Sequence, residues 1–243
     1  MSLIGDVKAV LKKLVAELPA GNRKAWHQEV ESFKNCPDNR LEMPKDSLNP
    51  ETVIQAVNRR APKDTVVCTD VGQHQMWTAQ YYHFAKPRSF ITSGGLGTMG
   101  FGMGAAMGAC IGNSKKKTVL FTSDGSFHMN MNEMATAVSN QLPLVIVLLN
   151  NNTLGMVRQW QTLFFDKRYS HTSLERRTDY VKLAEAFGAK GLRVTKLEQL
   201  DKAVKDAFAA KGPVLIEAVI DQDAKVLPMI PPGGTIKDII VKA

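Results

Sequence analysis

Between Asp124 and Asn152 the chain carries an Asp-Gly-Ser turn, a helix-like stretch, a short apolar strand and three consecutive asparagines, Asn150, Asn151 and Asn152. Asp124 follows the strand-like run Thr118 to Thr122, and the asparagines follow Leu144 to Leu149. A carboxylate and an amide oxygen therefore stand at the ends of successive strands, with one helix between them. Two hard oxygen donors so arranged suit Mg2+, which takes one or two side-chain ligands from protein and completes an octahedral shell with other oxygens, those of phosphate and water among them. The carbonyl of Thr153 offers a further ligand. Gly125 and Ser126 open the helix after Asp124, where unpaired N–H groups and the helix dipole favour a phosphate. Singly, each feature has a plainer reading, as a helix cap for Asp124 and as turn chemistry for the asparagines. Residue type alone does not separate the three asparagines.

Two further clusters follow predicted strands. Asp70-Val71-Gly72-Gln73-His74-Gln75 is a small turn with amide and imidazole groups suited to phosphate oxygens. Gly95-Leu96-Gly97-Thr98-Met99-Gly100 fits the G-x-G-x-x-G dinucleotide fingerprint, after a strand and before a helix, so a Rossmann dehydrogenase competes. Against it, these glycines come late in the pattern, and Asp124 opens a Gly-Ser helix start that a ribose-binding acid does not need. Gly102, Gly104 and Gly108 read as glycines for close helix packing.

The elements that must position these groups alternate. Helices are predicted at Pro50 to Arg60, Gln75 to Tyr82, up to Ile111, Asn130 to Ser139, Tyr180 to Phe187 and Leu197 to Ala210. Strands are predicted at Thr65 to Thr69, Ser89 to Thr92, Thr118 to Thr122, Leu144 to Leu149, Leu192 to Val194 and Val214 to Ile220. Such alternation implies an α/β fold, a three-layer doubly wound and mostly parallel sheet whose ligands bind beyond the carboxyl ends of its strands. Ahead of it, Ile4 to Leu18 has the spacing of an amphipathic helix closed by Pro19, and Trp26 to Phe33 gives a second helical patch. Asn35 to Asn49 is polar and linker-like, so residues 1–47 are expected to stand apart from a domain at 48–243.

The 243-residue chain has a net charge of +8, but its basic residues, Lys115, Lys116 and Lys117 among them, form no aromatic-interleaved stripe. Nucleic acid is therefore not an expected partner. The longest apolar run, Leu144 to Leu149, is too short to cross a bilayer, and the first helix is expected to pack on protein rather than membrane. Cys36, Cys68 and Cys110 lack metal-like spacing, and buried free thiols fit a reducing cytoplasm, or an organelle if a transit peptide has been removed.

Six segments, DVGQHQMWTAQYY, ITSGGLGTMGFG, DGSFHMNMNEMATAV, LNNNTLGMVRQWQ, VKLAEAFGAKGLRV and PMIPPGG, occur in order across nearly all of the chain from Pro50 to Gly234. Together they resemble the large catalytic subunit of acetolactate synthase, a thiamine-diphosphate enzyme with a C-terminal domain of this α/β type. The resemblance implies a carboligase of branched-chain amino acid biosynthesis that decarboxylates pyruvate and joins it to a second 2-ketoacid. It selects Asn151, with Asp124 and the Thr153 carbonyl, as holder of Mg2+ on the cofactor's diphosphate. It assigns Gly72, Gln73, His74, Gly125 and Ser126 to the diphosphate and Gly97 to the aminopyrimidine. Met99 is the wedge that keeps the cofactor bent, Met129, Gly155 and Met156 line its pocket, and Val157 and Trp160 face the substrate. For the methionines, ordinary core filling is the plainer reading. Trp160, one turn after Met156, could equally anchor a helix. Ser123 stands where many relatives have glycine. The resemblance further implies a homo-oligomer, at least a dimer, with a small regulatory subunit in some members. The glutamate that activates the aminopyrimidine belongs to an N-terminal domain and FAD to a middle domain. Residues 4 to 39 resemble the end of that middle domain. No catalytic residue is expected in this chain, which would hold half a site and be inactive by itself. Another thiamine-diphosphate carboligase or decarboxylase, or a non-catalytic assembly module, are the alternatives.

Overall fold

Runs of β-branched and aliphatic residues form the middle of one parallel sheet. Its strands are β1 (Val66–Thr69), β2 (Phe90–Ile91), β3 (Thr118–Ser123), β4 (Leu144–Asn150), β5 (Lys190–Val194) and β6 (Val214–Val219). They run in the order β2-β1-β3-β4-β6-β5, and every neighbouring pair is parallel. Every residue of β1 and β4 is buried, which is why these strands read as unbroken apolar runs rather than alternating ones. The computed structural model describes residues 2–34, 43–113, 116–174 and 177–242, in two compact units, Met1–Leu41 and Glu42–Ala243. Cys36, Lys115 and part of the expected linker lie outside the described residues.

The pleat divides the core. Val67, Val119, Phe121, Val145 and Val147 face one side and pack with Val53, Ile54 and Val57 of α3 (Pro50–Arg60), Trp77 of α4 (Gln73–Tyr81) and Leu200 and Val204 of α10 (Leu197–Ala209). Cys68, Leu120, Ile146 and Leu148 face the other. They meet Met103 and Cys110 of α5 (Phe101–Gly112), Phe127 of α6 (Asp124–Asn130), Met134 of α7 (Met134–Ser139) and Ala184 of α9 (Tyr180–Ala186). Each fully buried aliphatic side chain in these layers contributes about 1.5–3 kcal/mol. Helix α3 starts where the sequence indicates. Asn49 and Thr52 exchange side-chain-to-backbone hydrogen bonds of 3.0 Å in a capping box, with Pro50 at the first helical position.

Three features differ from expectation. A ten-residue helix, α8 (Gly155–Phe164), occupies a stretch where the sequence suggests only a single helical turn, from Met156 to Trp160. The segment after β3 is α6, a 3-10 turn at Met131–Glu133 and then α7, rather than one helix from Asn130. Of the three helix glycines, Gly102 alone packs closely: a Cβ there would lie 2.8 Å from Leu120 Cδ1 and 2.9 Å from the Asp70 backbone nitrogen. Gly104 and Gly108 have nothing within 4 Å. In the first unit, α1 (Val7–Glu17) starts at Asp6, whose carboxylate accepts from Ala9 N, and α2 spans Lys24–Lys34; neither helix has a buried residue. No helix among the described residues is long and apolar enough to cross a membrane.

Candidate cofactor site

The chain leaves β1, β3 and β4 at the same end of the sheet, and there the N-termini of α4, α6 and α8 enclose a cavity of about 90 Å³. Gly72, Gln73, His74, Met99, Ser123, Ser126, Asn151, Thr153, Gly155, Met156 and Val157 are among its walls. The first turns of α4 and α8 have no side-chain cap. Their N–H groups are thus available to a ligand. At α6, Ser123 Oγ accepts from Ser126 N at 3.4 Å, and Ser126 Oγ donates to the Val71 carbonyl at 2.7 Å. Ser123 has φ −127°, ordinary extended backbone, so a side chain is accommodated where a glycine was the expected residue.

β3 and β4 pair with Ser123 opposite Leu149, so Asp124 and Asn151 leave neighbouring strands one and two residues beyond that pair. Asp124, 1% exposed, is buried beside the cavity between Ser123 and Ser126, which line it. The structure separates the three asparagines. Asn150 turns away, donating to Glu217 Oε1 at 2.7 Å and accepting from Asn152 N at 3.1 Å. Glu217 in turn accepts from Arg193 Nε at 2.7 Å, so Asn150 is held in a buried polar chain inside the sheet. Asn152 is exposed and left-handed, with φ 54°, a turn conformation Asn tolerates. Asn151, 5% exposed, lines the cavity, with Nδ2 donating to Gln73 Oε1 at 3.4 Å and Oδ1 accepting from Thr153 N at 3.3 Å. Thr153 is fixed by a bridge to Ser173, in which the carbonyl of Asn152 and the N–H of Leu154 are used.

Gln73 departs from its expected role as a phosphate donor. Both of its amide protons are engaged, to Gln159 Oε1 and to the Ala224 carbonyl, each at 2.9 Å. What remains is its backbone N–H in the first turn of α4. Gly72, at φ 146° and ψ −161°, makes the entry to that turn in a conformation that side chains rarely adopt. His74 is buried, and burial pushes its pKa down to about 3 against a hydrogen bond with the Asp70 backbone. Its Nε2 has no hydrogen-bond partner among the described residues. A neutral imidazole with an unspent ring nitrogen at a cavity wall is matched to a polar ligand.

The glycine-rich turn does not work as a dinucleotide fingerprint. Asp70 accepts from Gly100 N at 2.8 Å and Gly102 N at 3.3 Å, so the N–H groups that would meet a diphosphate are held by a carboxylate of the protein itself. Burial raises the Asp70 pKa, opposed by these backbone donors. Gly100 is left-handed at φ 91°, and a Cβ there would meet Met129 Cβ at 2.9 Å. Gly97 is exposed at φ 71°, its N–H donating to Ser93 Oγ, and is not on the cavity wall. Met99 reaches the cavity wall, with Cε 3.8 Å from where a Gly125 Cβ would stand. Met129 is half-exposed and is not on that wall. Val157 and Met156 are shared with a wider groove of about 720 Å³, lined also by Trp160, Gln161, Phe165 and Arg168.

Sequence reasoning missed Leu154, Trp77 and Leu149 on the cavity wall, and Gln159 behind it. Two glycines let side chains of the site approach the backbone closely. A Cβ on Gly155 would fall 1.9 Å from Gln73 Oε1, and one on Gly125 would fall 2.9 Å from Leu154 Cδ2. Among the described residues no three His, Cys, Asp or Glu side chains cluster as a metal cage. An acidic residue following β3, with an asparagine and a threonine carbonyl following the neighbouring β4, are instead the donor types of a cation that shares its shell with phosphate. The residues present therefore fit a diphosphate with Mg2+.

Residues 70–218 match the family model for the C-terminal TPP-binding domain of thiamine pyrophosphate enzymes. The chain is 42% identical over 242 residues to the acetolactate synthase isozyme 2 large subunit of Escherichia coli, covering 100% of this chain and 44% of that protein. It is 41% identical to the mitochondrial acetolactate synthase catalytic subunit of Saccharomyces cerevisiae, over 97% of this chain and 35% of that protein. Against the chloroplastic acetolactate synthase 1 of Nicotiana tabacum the identity is 39%, over 100% of this chain and 38% of that protein. The chain thus spans between 35% and 44% of the length of these relatives.

Proposed function

Because this chain belongs to the thiamine pyrophosphate enzymes, as their C-terminal cofactor-binding domain, we propose that it holds thiamine diphosphate and Mg2+ for an acetohydroxyacid-forming carboligase. That enzyme decarboxylates pyruvate and joins it to a second 2-ketoacid. One observation carries the reading of the site. The cavity gathers three helix N-termini and the Asn151 amide, yet no Lys or Arg lines it among the described residues. A diphosphate there meets partial positive charge from the helix ends only. A divalent cation is what balances the remainder.

In this reading Asp124, Asn151 and the Thr153 carbonyl hold the cation. The first-turn N–H groups of α4, α6 and α8 bind the diphosphate oxygens, with His74 Nε2 beside them. Met99 supports the cofactor from the glycine-rich turn. Val157 and Trp160 give the 2-ketoacids an apolar wall that excludes water. Thiamine diphosphate, when bound, supplies a nucleophilic ring carbon and the electron sink for loss of CO2. The activating glutamate, FAD, partner subunits and compartment implied by the resemblance belong to the same proposal.

Calorimetric titration of the protein with thiamine diphosphate, with and without Mg2+, tests this. Binding is expected only with the cation present, and Asp124→Ala or Asn151→Ala should weaken it at least about tenfold. Unchanged binding in Asp124→Ala would contradict the assignment. Analysis of the product formed from pyruvate and 2-ketobutyrate separates an acetohydroxyacid synthase from another thiamine-diphosphate carboligase.

A further inference from the structure

Gln159 does not line the cofactor cavity, yet we infer that it is a positioning residue for the cation ligand Asn151, acting through Gln73 by a chain of amides anchored on the Val226 backbone. The inference rests on the reading of Asn151 as a cation ligand. An amide binds a cation through oxygen alone, and turned over it offers two N–H donors instead. Something must therefore fix which way the Asn151 amide faces.

The anchor is a backbone, which cannot flip. Gln159, on α8 and 3% exposed, accepts from Val226 N at 2.8 Å and donates from Nε2 to the Val226 carbonyl at 2.9 Å. Its Nε2 also lies 3.3 Å from Met229 Sδ. Only one orientation of the Gln159 amide satisfies both groups of Val226, and it leaves Oε1 facing Gln73. Gln73, 4% exposed, must then present Nε2 to Gln159 Oε1 and to the Ala224 carbonyl, each 2.9 Å away. Its Oε1 is left facing Asn151. Asn151 presents Nδ2 to that oxygen at 3.4 Å, which turns Oδ1 to the opposite side, toward Thr153 N. A carbonyl oxygen has two lone pairs, so one remains for a cation. Reversing any one amide in this buried chain would set donor against donor or acceptor against acceptor.

A second observation is independent of the bonds themselves. The Gln73–Asn151 contact passes the start of α8 where Gly155 has no side chain. A Cβ there would stand 1.9 Å from Gln73 Oε1 and 2.8 Å from Asn151 Nδ2. The fold thus leaves space for this contact at the turn that opens α8. The same chain ties the segment around Val226 to the cavity, as does Trp77 Nε1, which donates to the Lys225 carbonyl at 3.2 Å.

The test compares two substitutions at Gln159. Leucine removes the acceptor that orients Gln73. Glutamate keeps that acceptor, and the one for Val226 N, but loses the donor to the Val226 carbonyl and buries a charge, so it is the conservative variant for the relay and not for stability. Mg2+ affinity is measured by calorimetry at saturating thiamine diphosphate, below the melting temperature of each protein. Gln159→Leu is expected to lose about 10–100-fold in Mg2+ affinity, and Gln159→Glu to stay near the unaltered protein although it melts lower. Should the leucine variant not fold, Gly155→Ala, with Gln159 intact, is expected to lose Mg2+ affinity in the same way. Unaltered affinity in the leucine or the Gly155 variant, or a loss in the glutamate variant that follows its stability, would overturn the relay. If Asp124→Ala weakens binding while Gln159→Leu and Gly155→Ala do not, the cation site stands and the relay falls. If the unaltered protein shows no Mg2+-dependent binding, both fall together.

Discussion

At His74, folding and protonation compete. Burial holds this imidazole neutral, with a pKa of about 3 against an ordinary 6.5. Between those values the unfolded chain binds a proton that the folded chain does not, so stability rises with pH across the window and is fully present above it. The expected slope is up to about 1.4 kcal/mol per pH unit as pH falls below the unfolded value. Urea unfolding at a series of pH values between 4 and 7 measures it, and His74→Gln should remove this share of the slope. An unchanged slope would mean that the ring titrates freely. The asparagines teach a related lesson at the same scale. Sequence alone left Asn150, Asn151 and Asn152 equivalent, because all three suit a turn. They are distinguished by a residue 67 positions from Asn150: Glu217, on β6, claims the Asn150 amide. Long-range partners of this kind leave no local mark in the chain.

At the scale of elements, the buried strands were legible because parallel strands covered on both faces need continuous apolar residues, and β3, β4 and β6 have them. Helix α8 was legible only as one turn from Met156 to Trp160, for a physical reason. Its buried residues are Arg158 and Gln159, while Val157, on the groove, and Phe164 are exposed, so the usual link between apolar spacing and burial is inverted. Arg158 is kept inside by Asp223, at 2.8 Å, and by the Tyr169 ring, 4.0 Å from its guanidinium carbon. The ion pair also holds the Asp223 carboxyl below its usual range, the hydrogen bond from Arg158 being the main cause. Helix α5 shows where a glycine count misleads. Gly102→Ala should cost about 1–3 kcal/mol, because its methyl would meet Leu120 and the Asp70 backbone. Gly104→Ala should add about 0.5–1 kcal/mol, because its site is open and alanine is the better helix former. Urea denaturation of the two variants is expected to move in opposite directions, and equal shifts would contradict this account of the helix.

Across the whole molecule, the net charge of +8 does not gather at the cavity, where the described walls carry no lysine or arginine. In the proposed reading, binding of an anionic cofactor falls to backbone N–H groups and to a cation held at the ends of β3 and β4. The doubly wound order of the sheet is what brings those two strand ends side by side, with the Asp70 turn of β1 adjacent. Linkage makes this visible in the melting curve: thiamine diphosphate with Mg2+ at a hundred times its Kd should add about 2.7 kcal/mol, and the cofactor without the cation much less. The most direct measurement is a crystal structure of the protein with thiamine diphosphate and Mn2+, located by its anomalous scattering. The account predicts one Mn2+ bound by the Asp124 carboxylate, the Asn151 amide oxygen, the Thr153 carbonyl and the diphosphate. A metal seated elsewhere, or a diphosphate bound with Asp124 and Asn151 both turned away from it, would contradict the account.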